Sequence, residues 1–351
     1  MLDPLNSLPA DVYTPLTPSL IRSMSSTARA GLGAFVTSHL SVLRLEGSDR
    51  ARWLHGQCTQ EIKGLAVGQA AEAFVLDAKG RNLGDITIAV FPDHILVLCP
   101  RSASPTLVAH WKRFIIAEDV VVQDQTDSSS TVYLTGLGLS SFLQSFAHVH
   151  MESAATTFAA EVKVAGETLT LISDAGSGTP AVHVIGPSIA VEAWDKLGKA
   201  LLAGKAAHLP NEIEECLRIA AFKPRFGIDF DGTVLPKESG EEARRVSYTK
   251  GCYTGQEVVA RQHFLGEPRR MLRSASWRGG PVAPGTQLVR SDGTRVGRLT
   301  SCSYAEEVGR CVGIAMIDGP AKLELELLLV AQDLDDEPVT LTIGAPKYLK
   351  A

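Results

Sequence analysis

Within the segment Arg244 to Arg261, the run Lys250-Gly251-Cys252-Tyr253-Thr254-Gly255-Gln256-Glu257 sets a thiol two residues from an ammonium and between two glycines. Thr254 and Glu257 have the spacing of a capping box, which predicts a helix beginning at Thr254 with Val258 and Val259 inside it. Cys252 then stands just ahead of a helix N-terminus. Unpaired N–H groups and the macrodipole favour an anion there, and Lys250 adds positive charge. Cys252 is therefore the cysteine best placed to act as a thiolate, either as a nucleophile or as a metal ligand. Free cysteines are also commonly small buried hydrophobes, and position alone leaves that reading open. Gly251 and Gly255 would let another group approach the backbone closely.

Other residues carry weaker chemistry. The six cysteines, Cys58, Cys99, Cys216, Cys252, Cys302 and Cys311, contain no CxxC pair, so neither a disulfide scaffold nor a zinc ribbon is indicated. His55 and Cys58 form a lone HxxC without a second ligand pair, for which core packing is the default. Cys302 and Cys311 fall on neighbouring predicted strands, where a reducing compartment favours two free thiols over a bridge. No GxGxxG or GxxxxGK[ST] occurs, so no dinucleotide site or P-loop is indicated.

The elements that must position these groups come from a chain of 351 residues, long enough for two or three domains. With 45% hydrophobic and 21% charged residues, global disorder and fibrous classes are excluded. Lys plus Arg number 34 against 39 Asp plus Glu, so 34 − 39 = −5 leaves no basic excess for a phosphate backbone, and no nucleic-acid partner is expected. The longest apolar runs fall short of the ~18 to 20 residues that cross a bilayer, and the first thirty residues lack a secretory pattern. A soluble, cytoplasmic protein without a membrane partner is expected.

Strands are predicted around Val42–Leu45, Phe74–Leu76, Asp85–Val90, His94–Leu98, Val120–Val122, Thr131–Leu134, Val162–Val164, Leu169–Leu171 and Val182–Val184. Helices are predicted after Asp49, after Ser104-Pro105 through Ile115, over Leu139–Phe146, from a Ser188 cap to Gly204, and from Pro210-Asn211 to Ala220. The mixture lacks a strict βαβ rhythm, which points to antiparallel α+β layers. After about Pro268, turns punctuate short runs at Thr294–Ser301, Cys311–Ile317, Lys322–Val330 and Val339–Ile343, the pattern of a small antiparallel barrel or sandwich. The acidic cluster Asp333–Glu337 reads as a solvated turn.

The signature Lys250 to Glu257 closely resembles that of the folate-binding YgfZ family, relatives of the glycine-cleavage T-protein that include iron-sulphur assembly factors. Flanking features agree in order: Leu45 to Arg50 with Trp53 to Gly56, Asp77 to Arg81, Arg218 with Pro224 to Asp229, and Gly297 with Thr300-Ser301. The resemblance spans roughly Leu32 to Ile343. It implies an α+β, T-protein/YgfZ-like fold. Residues 1–32 would be a loosely structured extension. Residues 33–265 would form two interleaved α+β units, roughly 33–135 and 136–265, around a folate-sized hole. Residues 266–351 would form the C-terminal antiparallel β-barrel.

The resemblance also implies function. Family members support maturation or repair of iron-sulphur proteins, especially 4Fe-4S enzymes, and bind tetrahydrofolate or a one-carbon derivative. Their functional cysteine and lysine map onto Cys252 and Lys250, with Cys252 as a transient iron-sulphur ligand. The expected folate contacts are Asp85, Arg225, Tyr253, Gln256, Glu257 and Arg261, while Gln256 and Glu257 equally suit helix capping, and Arg218 suits internal pairing. Expected partners are iron-sulphur carriers or scaffolds and 4Fe-4S client enzymes, in the cytoplasm or, for a eukaryotic source, the mitochondrial matrix. Two positions depart from the T-protein: its paired Asp-Asp is here Gly84-Asp85, and its pterin-contacting glutamate is here Ala220. The alternative function is a folate-dependent aminomethyl or one-carbon transferase with Asp85 as its polar catalytic group.

Overall fold

A computed structural model describes residues 18–153, 157–266, 268–290, 292–305, 310–319, 327–331 and 340–344. The first part of the chain folds as α1 (Pro18–Ala30), β1 (Gly33–Val36), β2 (Leu40–Glu46), α2 (Arg50–Gln57), β3 (Ala70–Leu76), β4 (Asn82–Val90), β5 (Ile95–Pro100), α3 (Ser104–Lys112) and β6 (Val121–Asp124). Next come β7 (Ser129–Thr135), α4 (Leu139–Ala147), β8 (Ala159–Val164), β9 (Glu167–Ser173), β10 (Ala181–Pro187), α5 (Val191–Ala203), β11 (Ala207–His208), α6 (Asn211–Ala220), α7 (Glu242–Arg245) and α8 (Gln256–Leu265). The remaining strands are β12 (Arg270–Trp277), β13 (Gln287–Val289), β14 (Arg295–Ala305), β15 (Arg310–Asp318), β16 (Leu327–Ala331) and β17 (Thr340–Gly344).

Three sheets result. One runs β3-β4-β5-β2-β6, a second runs β11-β1-β7-β10-β9-β8, and the strands from β12 onward close a barrel in the order β12-β15-β14-β13-β16-β17. Interleaving is literal: β1 precedes every strand of the first sheet yet pairs with β7 of the second, Gly33 opposite Thr135. β7 therefore belongs to the second sheet, although the expected boundary near 135 assigned it to the first unit. Each sheet buries one face beneath helices, with Leu54 and Leu107 on the first and Leu143 and Leu197 on the second. The two sheets also pack on each other through Val42, Ala89 and Leu98 against Ile172 and Ile185. The α+β architecture with an antiparallel C-terminal barrel is thus as expected.

Four local expectations are corrected. Residues 18–30, expected to be loose, form α1, because Met24 and Ala28 are buried four residues apart against Phe35, Ile213 and Leu217. Helix caps and bounds also differ, although α2 starts after Asp49 as expected. Asp49 precedes α2, but its carboxylate accepts the Asp119 N–H (3.0 Å) and pairs with Arg52 (3.0 Å) instead of capping. α3 ends at Lys112, short of Ile115, and its Ser104 hydroxyl donates to Asp124 (3.2 Å). α5 starts at Val191 rather than after a Ser188 cap, since the Ser188 hydroxyl faces Ser130 (3.3 Å). In each case a tertiary partner has taken the capping group. β12 and β13 were missed in the sequence, and Lys322 to Glu326 and Asp333 to Glu337 lie outside the described residues.

Candidate functional site

Between the two sheets lies a cavity of about 850 Å³ of empty space, its open mouth included. Leu40, Ile86 and Leu98 give it an apolar wall, while Glu72, Asp85, Asp174 and Glu214 bring carboxylates and Lys223, Arg225 and Arg245 bring cations. Strand alternation explains the mixture on β4. Asp85 points into the cavity, and its neighbour Gly84 faces α3, where an added Cβ would come within 3.0 Å of Ala103 Cβ and 3.1 Å of Leu107 Cδ1. The first acid of the T-protein pair would therefore have to push Ala103 and Leu107 aside here. Ala220 is buried instead with Phe222, Ile314 and Met316.

The charges pair in a chain along the cavity floor. Arg245 Nη2 lies 3.4 Å from both Glu72 Oε1 and Asp85 Oδ2. Arg244 pairs with Glu72 and Glu241 and donates to the Ala175 carbonyl. Burial opposes ionisation of Asp174, but Lys223 and His183 outweigh it and hold the carboxyl below its usual range. Tyr133 donates to that carboxylate (2.9 Å), and burial first, then Asp174, pushes its phenol well up. Burial also lowers His39 and His183 to about 4, so both are neutral at pH 7. Among the residues that line the cavity, Asp85 Oδ1 and His183 Nδ1 are buried without a hydrogen-bond partner.

Arg225 sits on the cavity wall, but its guanidinium is already engaged, bidentate to Glu214 (2.7 and 3.0 Å) and bonded to Glu215 (3.2 Å). Arg218 shows the expected internal pairing, held by Glu215, Asp229 and Ser301.

The signature occupies a different place. Lys250 is buried, and its ammonium donates to the carbonyls of His55 (2.5 Å), Cys58 (2.7 Å) and Gln60 (2.7 Å), which uses all three of its N–H bonds. Burial lowers its pKa. Lys250 was expected to add positive charge beside the thiol; its ammonium donors are committed to the loop after α2. Tyr253 is buried next to it, its ring 5.0 Å from the ammonium, and burial pushes its phenol up to about 12. Thr254 N–H donates to Gly56 O (3.2 Å). With residues 250, 253 and 254 pinned, Gly251 and Cys252 are left at the surface, and the Cys252 thiol is exposed.

Helix α8 begins at Gln256, not Thr254, and its N-cap is Gly255 at φ 83°, without a side-chain cap. The Thr254–Glu257 capping box is absent because the turn between β3 and β4 crowds this point. A Cβ on Gly255 would come within 2.7 Å of Asp77 O, and one on Gly80 within 2.8 Å of Val258 Cβ. Only a glycine tolerates both that φ and that contact. Gly251, in contrast, has open space, with His55 Nε2 the nearest atom at 3.8 Å from an added Cβ.

Of the expected folate contacts, only Asp85 and Arg225 line the cavity; Tyr253, Gln256, Glu257 and Arg261 do not, and Glu257 and Arg261 are exposed. Cavity residues overlooked in the sequence include Glu72, Asp174, Lys223 and Arg245, and Arg244 pairs with Glu72 from outside the lining. A single charge inside the apolar run of β3, and an arginine pair directly ahead of the signature, were the available signals. The loop after α2 joins the two places. Thr59 donates to Arg245 O (2.6 Å) and Gln60 to Arg244 O (3.1 Å), while Lys250 holds the same loop from the signature side.

No group of three or more His, Cys, Asp or Glu suited to a metal ion occurs among the described residues. The HxxC pair is core: His55 Nδ1 accepts the Ile62 N–H (3.3 Å), and burial raises the Cys58 thiol.

A two-sheet α+β body with a charged central cavity and a C-terminal barrel defines the class, and comparison with known proteins agrees. The profile of the GCVT N-terminal domain matches residues 13–243. The chain is 24% identical over 316 residues to the aminomethyltransferase of Rubrobacter xylanophilus, covering 88% of this chain and 82% of that protein. It is 26% identical over 317 residues to the tRNA-modifying protein YgfZ of Vibrio vulnificus, covering 88% and 91%. Among solved structures, glycine cleavage system aminomethyltransferase T from Bartonella henselae superposes with a TM-score of 0.82 at 15% identity, over 94% of this chain and 89% of that one. The chain belongs to the GCVT domain family and is a YgfZ/GcvT-like protein. No helix among the described residues is long and apolar enough to cross a membrane.

Proposed function

We propose that this protein binds tetrahydrofolate, or a one-carbon derivative of it, and assists maturation or repair of iron-sulphur proteins, 4Fe-4S enzymes above all, through Cys252. The observation that carries the reading is the contrast within one loop: Lys250 and Tyr253 are buried and bonded, and Cys252 between them is exposed. Such an arrangement fixes a thiol outward, towards a second macromolecule. Iron-sulphur clusters are held by thiolates, and one thiol cannot complete a cluster site. The cluster is therefore cargo, and carrier or scaffold proteins supply the remaining ligands.

The cavity residues fit a folate. Asp85 Oδ1 is a buried acceptor awaiting a donor, as a pterin N–H would provide, and the apolar wall suits a flat heterocycle. When bound, tetrahydrofolate supplies a carrier for one-carbon units. Asp85 would orient the ring, Leu40, Ile86 and Leu98 would exclude water, and Arg245 would hold the Asp85 carboxylate in place through Oδ2. With a net charge of −5, the chain is a poor RNA binder in its own right, so the tRNA modification in its relatives' name is assigned here to a client enzyme. The setting is the cytoplasm, or the mitochondrial matrix for a eukaryotic source.

The test is anaerobic reconstitution with iron and sulphide, with and without tetrahydrofolate and a carrier protein, on wild type and Cys252→Ser. A thiolate-to-iron absorption band dependent on Cys252 is expected, with folate binding unchanged in the variant by calorimetry. Full 4Fe-4S enzyme activity in cells carrying only Cys252→Ser would sink the reading.

A second reading, an aminomethyl or one-carbon transferase, is favoured by the same unpartnered Asp85 oxygen and by the relatives named aminomethyltransferase. The absence of the first acid at Gly84, where a side chain would crowd Ala103 and Leu107, weighs against it. Turnover of an aminomethyl donor that survives Cys252→Ser and is lost in Asp85→Asn would favour this reading over the first.

A further inference from the structure

The barrel wall carries a second thiol chemistry, independent of Cys252. In the β14/β15 ladder, Cys302 lies opposite Gly313 and Tyr304 opposite Cys311, which makes Cys302 and Cys311 diagonal neighbours on one face of the sheet. The residue opposite Cys302 is a glycine, and the space a Cβ would take there is filled by Leu299 and Trp277 of the barrel core. Cys311 is fully buried in the barrel core, and Cys302 packs against the same cluster while also lining the cleft between the barrel and α6. One thiol is thus reachable from solvent and its neighbour is not.

We propose that Cys302 and Cys311 form a reversible dithiol switch oxidised by hydroperoxides, with Cys302 as the attacking sulphur and Cys311 as the resolving one. The Cys302 thiolate attacks the outer peroxide oxygen; an S–O bond forms, the O–O bond breaks, and the alkoxide leaves as alcohol on taking a proton. Cys311 sulphur then attacks the sulphenic sulphur, the S–S bond forms, and hydroxide leaves as water with the Cys311 proton. The balance is two thiols and one hydroperoxide giving one disulfide, one alcohol and one water.

Electrostatics favour this division of roles. The Cys311 thiol donates to the Gly279 carbonyl (3.4 Å), and the closeness of the two sulphurs holds the Cys302 thiol below its usual value while that contact, with burial, raises Cys311. Burial pushes Cys99 up to about 12 and also raises Cys58, and Cys216 accepts the Ser303 hydroxyl (2.6 Å).

Diagonal neighbours have Cα atoms ~7–8 Å apart, just beyond the ~6.8 Å upper limit for a relaxed disulfide. Closure must therefore draw the strands together. The bulge between Leu299 and Ser301 gives β14 slack two residues upstream. A bridge made under such strain is readily reduced, as a switch requires. It would fasten the barrel wall beside α6, the helix that carries Glu214 and Arg218 to the cavity.

Peptide mapping of the wild-type full chain after hydrogen peroxide, with free thiols alkylated before digestion, tests the proposal. A Cys302–Cys311 cross-link that a dithiol reductant reverses is expected, and in Cys311→Ser a dimedone adduct on Cys302 is expected instead. Recovery of both cysteines alkylated, at a peroxide dose that oxidises Cys252, overturns the proposal. So does a bridge from Cys302 to Cys216. Because the first arm uses the unaltered protein, a folding defect in the variant leaves the proposal open to refutation.

Discussion

Arg218 Nη1 lies 2.6 Å from Asp229 Oδ2, with both side chains buried. The same carboxylate accepts the Arg225 N–H (3.0 Å) through Oδ2 and the hydroxyls of Thr300 (2.7 Å) and Ser301 (2.6 Å) through Oδ1. One side chain thereby joins α6, the loop that follows it and the barrel. Breaking a buried pair from one side strands the other charge, at about 3–5 kcal/mol. Asp229→Ala should lower unfolding stability by that order in urea titration. A loss under about 1 kcal/mol would show that Arg218 finds another partner.

Lys250→Met should remove three charge-assisted hydrogen bonds at once and leave the carbonyls of His55, Cys58 and Gln60 unpaired. A destabilisation of about 3 kcal/mol is expected. Because the same bonds pin the loop that carries Cys252, alkylation of Cys252 should also change rate in native protein. Lys250→Arg should not rescue, since a planar guanidinium does not fit a cage built around a point charge. Full rescue by arginine would mean that charge alone suffices.

Acid should destabilise the cavity before it protonates most carboxylates. His39 and His183 are lowered to about 4 by burial, against 6.5 in the unfolded chain. Between those values the unfolded state binds more protons, so stability is complete above about pH 6.5 and falls as pH drops towards 4. For the fully enclosed His183 the loss reaches roughly 3 kcal/mol at the acid end, and for the half-buried His39 it is smaller. His183→Gln should flatten the stability profile between pH 6.5 and 4. An unchanged slope would place the acid sensitivity elsewhere.

Gly84→Asp restores the acid pair of the T-protein on paper. Its Cβ would press on Ala103 and Leu107 of α3, and its charge would enter an apolar layer. A fall in Tm corresponding to about 2 kcal/mol or more is expected, with no gain of aminomethyl transfer. A stable, transfer-competent Gly84→Asp would mean that α3 can shift to admit the acid.

Much of this protein was legible because it is local. Strand alternation and turn residues located the cores of most strands, and the run from Lys250 to Glu257 marked the loop that carries Cys252 before any fold was known. Helix starts were less legible. Asp49, Ser104 and Thr254 have capping side chains, but Asp119, Asp124 and the β3–β4 turn compete for those groups or the space around them. Propensity sees only the helix's own offer.

The sequence by itself determined that one cysteine sits in a special context, that the chain is α+β with an antiparallel end, and that acids are missing at Gly84 and Ala220. Only the tertiary structure decided that Lys250 pins the loop after α2, that the signature lies outside the cavity, and that Glu72, Asp85 and Arg245 meet in its wall with Arg244 behind Glu72. The reason is sequence separation: Lys250 meets its carbonyl partners across some 190 residues and Arg244 meets Glu72 across 172, distances over which no periodicity in the chain carries information.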